Sequence, residues 1–143
     1  MTKPILDIQN LTVTIAGSGD RPHAINDVSF SVGANEIVCV VGESGSGKSV
    51  TAQAVMQLLA KGQLAITGGS IKLEGDELTT KSATAMRQVR GKRASMIFQE
   101  PMTALNPLHT IGRQIAEPLR LHKGLSLAAA RAEALRLPRR SGS

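Results

Sequence analysis

Apolar and polar residues alternate from Leu6 to Ile15, which predicts a half-exposed strand with Leu11, Val13 and Ile15 on one face. The turn-rich Gly17-Ser18-Gly19-Asp20-Arg21-Pro22 follows, and Val28, Phe30 and Val32 repeat the alternation, so a hairpin-like antiparallel β unit opens the chain. Gly33 to Glu36 makes a short turn into Ile37-Val38-Cys39-Val40-Val41, apolar at every position, the pattern of a parallel strand buried on both faces. From Lys48 to Ala60 the spacing is helical. Ser49, Gln53 and Gln57 form a narrow polar stripe on an otherwise apolar segment, which predicts a mostly enclosed helix.

Glycines at 62, 68 and 69 break that pattern; Ser70 to Leu73 reads as a short strand and Gly75-Asp76 as a turn. A basic helical stretch, Lys81 to Arg93, precedes Ala94-Ser95-Met96-Ile97-Phe98, a second candidate buried strand that ends at Gln99. Two more helices are predicted at Ile111 to Leu121 and Ser126 to Leu137, the latter with Ser126 as N-cap and Leu127, Ala130, Ala134 and Leu137 at helical spacing. Residues 138–143, Pro-Arg-Arg-Ser-Gly-Ser, read as an irregular basic tail after a domain over 1–137. Strands alternating with helices make the class α/β.

Charge changes this picture little. Residues 1 to 60 carry three basic and five acidic groups and residues 61 to 143 carry fourteen and six, so the halves are −2 and +8. A basic half can attract nucleic acid or lipid head groups, yet the chain has only two Phe and no Trp or Tyr on which bases could stack, so no specific nucleic acid is expected as partner. The longest aliphatic run falls far short of the roughly 20 residues of a membrane span, and Met1-Thr2-Lys3-Pro4 lacks a signal-peptide h-region, so a cytoplasmic chain is expected. The single cysteine, Cys39, reads as a small core residue. Met86, Met96 and Met102 read as packing residues, and the scattered His23, His109 and His122 suggest no covalent catalysis; no catalytic residue is assigned.

The chemistry concentrates between the apolar run and the helix. Gly42-Glu43-Ser44-Gly45-Ser46-Gly47-Lys48-Ser49 fits G-x-x-x-x-G-K-[ST] in full. Binding phosphate requires several backbone N–H groups to converge on anionic oxygens, which the glycines permit, and a helix starting at the loop adds the positive end of its dipole. In this reading Lys48 reaches the β- and γ-phosphates of a nucleoside triphosphate, ATP above all, and the Ser49 hydroxyl sits on Mg²⁺.

A β unit of some 37 residues before the loop, the helix after it, and Met96-Ile97-Phe98-Gln99-Glu100-Pro101-Met102-Thr103-Ala104-Leu105-Asn106-Pro107 together resemble the nucleotide-binding domain of ABC transporters, in the form found in importers of peptides and related solutes. Val40 to Thr51, including Val50 after the loop, is similar to the same family. The resemblance runs from about Leu6 to about Leu135 and covers the first half of the family's domain. It implies a P-loop NTPase core with an N-terminal antiparallel β unit and an incomplete sheet. It also implies that Gln99 ligates Mg²⁺ and senses the γ-phosphate. Implied partners are transmembrane permease subunits and a second ATP-binding domain, with the protein peripheral on the inner face of the cell membrane. The aromatic residue that commonly stacks on adenine is replaced by Ile15 or a neighbour, and the family's Leu-Ser-Gly-Gly-Gln signature, Asp-Glu strand end and switch histidine do not follow Leu135. The resemblance therefore implies nucleotide binding, with hydrolysis in doubt. Exposed apolar faces would make such a chain poorly soluble. Two alternatives stay open: a complete small P-loop kinase or NTPase, and a basic binder of nucleic acid or lipid surfaces.

Overall fold

Strand β1 spans Leu6–Ile15 and β2 spans His23–Val32, paired antiparallel, as the alternation predicts. The alternation does not survive intact. Asn10 at φ 49 and Asp27 at φ 54 sit where the register slips, and the Asn10 amide donates to the Asp27 carboxylate at 2.7 Å. One extra residue on a strand switches its faces, so Ile8 joins Leu11 and Val13 in the core. The same irregularity continues into β3, Leu64–Leu73, which pairs with β1. There Gly69 passes so close to the backbone of Gln9 and Asn10 that a Cβ would collide with it. A two-residue β4, Asp76–Glu77, completes an antiparallel sheet of order β2-β1-β3-β4.

The computed structural model describes residues 3–99 and 105–140, and the chain divides into two compact units, 1–87 and 88–143. In the first unit, Ile8, Leu11, Val13, Ile25, Ile71, Leu73, Leu78 and Met86 are buried, as are Ala54 of helix α1, Lys48–Val55, and Met56 at its end. That helix is five residues shorter than its apolar run. Gln57 takes a left-handed φ of 50, with Leu58 N–H reaching the Gln53 carbonyl and Gln57 N–H reaching that of Ala54, a Schellman-type stop. The predicted basic helix contracts to α2, Ala83–Val89.

In the second unit, α3 (Ile111–Lys123) is capped by Thr110, whose hydroxyl accepts from Arg113 N–H at 3.3 Å, and it ends at Gly124 in the left-handed conformation. Arg120, His122 and Lys123 in its last turn oppose the negative end of its dipole. Helix α4 spans Leu127–Arg140, and Ser126 Oγ accepts from Ala129 N–H as an N-cap should. The two helices bury Ala116, Leu119, Ala130 and Ala134 against each other, with Ile115 and Leu125 packed alongside. Helix α4 therefore includes residues 138–140 of the expected irregular tail. Arg139 and Arg140 are good helix formers continuing an established helix, and one proline near its end does not break it. Residues 141–143 lie outside the described residues.

Two predicted strands are corrected. Ile37–Val41 forms no strand, and Ile37 and Val41 are 92% and 89% exposed. Ala94–Phe98 contributes only an isolated bridge from Ala94 to Arg90, and Ile97 is 97% exposed. The reason is the same for both. A strand buried on two faces exists through its neighbours, and among the described residues no strand pairs with either segment. Cys39 is accordingly exposed and not a core residue.

Candidate functional site

Loop 42–49 leads from the exposed apolar segment into α1, and its shape depends on glycine at one position above all. Gly47 is the helix N-cap at φ 95, a left-handed geometry that side chains disfavour, and a Cβ there would stand 2.7 Å from the Ala24 carbonyl oxygen and 3.1 Å from Ile25 Cγ1 of β2. The first turn of α1 is thus pressed onto the sheet edge. Gly47 also anchors that turn: its carbonyl accepts from Thr51 N–H at 2.9 Å and from the buried Thr51 hydroxyl at 2.8 Å.

Lys48 draws the loop together from inside the helix. Its ammonium donates to the carbonyls of Gly42 at 2.6 Å and Glu43 at 2.7 Å, with Ser46 Oγ at 3.3 Å. Ser46 N–H reaches the Glu43 carbonyl at 3.1 Å, closing the turn at Ser44 and Gly45. Three acceptors from residues 42, 43 and 46 therefore converge on one cation. These acceptors are neutral, and a phosphate oxygen carrying negative charge is a stronger partner for an ammonium. Apart from the half-buried Gly47, Lys48 and Val50, residues 42–50 are exposed, so an anion can approach. Ser49 lies in the first helical turn, one residue past the lysine, and its side chain is exposed.

Arg21 carries no motif signal. It lies in the β1–β2 turn, closed by Ile15 N–H donating to the Pro22 carbonyl at 2.8 Å, and its guanidinium donates to the Gly45 carbonyl at 2.8 Å. The contact joins residues 24 apart and leaves no periodic trace in the sequence.

Gln99 lies in the second unit, exposed, just after segment 95–98, which has no regular secondary structure, whereas the loop belongs to the first. Glu100 to Ala104 lie outside the described residues. Met86 is buried and Met96 half-buried, in keeping with packing roles, and Met102 lies outside the described residues.

A carboxylate network in the first unit holds β3 to β4. Glu77 accepts from the Ser70 hydroxyl at 2.5 Å, Ile71 N–H at 3.1 Å, Thr79 N–H at 3.1 Å and the Thr79 hydroxyl at 2.7 Å. Burial pushes its pKa up, but the hydrogen bonds from Ser70, Thr79 and Ile71 outweigh burial and hold it down at about 2.

With this geometry in place, the relatives of the chain are informative. A family profile described as ABC transporter matches residues 25–140. The chain is 47% identical over 137 residues to the "Probable D,D-dipeptide transport ATP-binding protein DdpD" of Escherichia coli K12, covering 96% of this chain and 42% of that protein. It is 46% identical over 136 residues to the "Peptidoglycan transport ATP-binding protein YejF" of Agrobacterium fabrum, covering 95% of this chain and 25% of that protein. The chain thus spans less than half the length of either relative. Among solved structures, a dimeric ATP-binding cassette in a post-hydrolysis state bound to ADP and Pi shares its fold at a TM-score of 0.72 and 22% identity, over 92% of this chain and 54% of that one.

Proposed function

This chain belongs to the ABC transporter family, and on that premise we propose that it binds ATP with Mg²⁺ at residues 42–50 as part of the energy-coupling subunit of an importer for peptides or related solutes. One observation carries the proposal. A lysine at the start of a helix holds its ammonium among loop carbonyls, below a left-handed glycine that only Gly can occupy without collision. Anions favour such a helix start, where unpaired N–H groups and the dipole point outward.

In this reading the backbone N–H groups of Gly45, Gly47, Lys48 and Ser49, with that of Ser46 once it leaves the Glu43 carbonyl, would face the phosphates, Lys48 would exchange its carbonyl partners for phosphate oxygens, and Glu43, Ser44 and Val50 would frame the site. The Ser49 hydroxyl and the Gln99 carboxamide are hard oxygen donors of the kind Mg²⁺ accepts, and the nucleotide's own phosphates supply most of the remaining ligands. Bound nucleotide would bring this domain onto a second ATP-binding domain and act on transmembrane permease subunits at the inner face of the cell membrane. The names of the two relatives at 46–47% identity, a dipeptide and a peptidoglycan transport ATP-binding protein, support that assignment. Among the described residues no helix is long and apolar enough to cross a membrane.

Isothermal titration of the 143-residue chain with ATP and Mg²⁺ tests the proposal. Saturable binding is expected, weakened about ten- to a hundredfold by Lys48→Ala, the scale of a lost charge-assisted hydrogen-bond set. Binding unchanged by that substitution would sink it, and salt-sensitive binding to polyanions in its place would favour the basic-surface alternative.

A further inference from the structure

The Lys48 contacts explain how the two ends of the phosphate loop are held, but not its apex. Gly45 is at φ 79, and a Cβ at that position would meet nothing within 4 Å, so hydrogen bonds hold this peptide: its Ser46 N–H donates to the Glu43 carbonyl at 3.1 Å, which leaves the Gly45 carbonyl to be held from outside the loop. What reaches it is the Arg21 guanidinium, through a 2.8 Å hydrogen bond to the Gly45 carbonyl. The geometry points to Arg21 as a positioning residue for the phosphate loop, a role that rests on the nucleotide-binding reading above.

Arg21 is itself held. Pro22 restricts the backbone of the residue before it, and the Ile15–Pro22 hydrogen bond closes the turn at the end of a ten-residue strand pair. A donor on this rigid turn fixes the direction of the Gly45 carbonyl. The peptide plane then fixes the opposite direction for Ser46 N–H, because the C=O and N–H of one trans peptide point apart. That N–H donates to the Glu43 carbonyl, which Lys48 also reaches, so an anion that draws Lys48 away from this carbonyl can compete for the Ser46 N–H as well. When Lys48 exchanges the Gly42 and Glu43 carbonyls for phosphate oxygens, Arg21 still ties the β1–β2 turn to the apex of the loop, while Gly47 stays packed on β2. Its target is a carbonyl and not the ligand, so Arg21 acts by orientation, and another long side chain that donates to the Gly45 carbonyl should replace part of its effect.

The test uses the full chain and the variants Arg21→Ala and Arg21→Lys, titrated at low and high salt with ATP and with inorganic tripolyphosphate, both with Mg²⁺, alongside the thermal midpoint without ligand. Arg21→Ala should weaken both ligands by the same factor, about tenfold, at either salt concentration and with the midpoint unchanged, and Arg21→Lys, one bond shorter but still a donor, should recover part of the loss. Unchanged affinities would overturn the inference. So would a loss confined to ATP, which would make Arg21 a base or ribose contact, or a loss that disappears at high salt, which would make its charge the active element. A lowered midpoint that accounts for the weaker binding would reduce Arg21 to a folding contact. Failure of the unsubstituted chain to bind either ligand would instead remove the nucleotide reading on which the inference stands.

Discussion

Single residues of the loop differ sharply in what they tolerate. Gly47 and Gly45 both have positive φ, at 95 and 79, but only at Gly47 would a Cβ also meet a carbonyl oxygen, at 2.7 Å. Gly45→Ala should therefore cost the backbone term alone, about 1–2 kcal/mol. Gly47→Ala should cost more and displace the start of α1, which urea unfolding of the two variants side by side would resolve. An equal cost for both would mean that the Ala24 contact is relieved by a small shift of the strand. Glu77 offers a residue-scale test with pH. Its carboxyl is held at about 2 against an ordinary 4.5, so its contribution is full above pH 4.5 and is lost as pH falls towards 2. For a half-buried group, solvent screening limits that contribution to roughly 1–2 kcal/mol. Glu77→Gln should lower stability at pH 7 and flatten its decline across that acid window, as followed by denaturant unfolding at stepped pH.

At the level of elements, hydrogen exchange should separate the strands that pair from the apolar runs that do not. Amides in β1 and β3 are expected to be strongly protected, whereas those of 37–41 and 95–98 should exchange at near-unfolded rates, since no ladder holds them. Protection of 37–41 would show a strand partner. This contrast also marks how far the sequence could be read. The bounds of β1 are legible to the residue because alternation is a local property of Leu6 to Ile15. The place of the loop just before α1 is equally legible, since its motif is contiguous and Gly47 at its end is the helix N-cap. The apolar run Ile37–Val41 misleads because a doubly buried strand is a property of its neighbours, not of its own composition. The first six residues of β3 are hidden in the sequence because Gly68 and Gly69 look like a break, while in the sheet Gly69 is what allows the bulge beside Asn10. Arg21 is not legible from sequence: its contact joins a turn and a loop, and neither segment encodes the other. Gln99 is singled out by resemblance alone, and it lies in a different unit of the chain from the loop.

Taken as a whole, the chain exposes more aliphatic surface than a lone soluble domain needs: Ile37, Val41, Ile97 and Leu108 are among its most exposed residues. Concentration-dependent association is the expected result in sedimentation velocity, and Ile97→Lys should reduce it without altering ATP affinity; association unchanged by this substitution would place the sticky surface elsewhere. The net charge of +6 opposes such association at low salt, so added salt should promote it. The corrected position of Cys39 matters for experiment. It is the single cysteine of the chain, it is exposed, and it stands three residues ahead of Gly42. A fluorescent maleimide will therefore attach at one defined point on the threshold of the loop, giving an optical reporter of loop movement in the unaltered sequence.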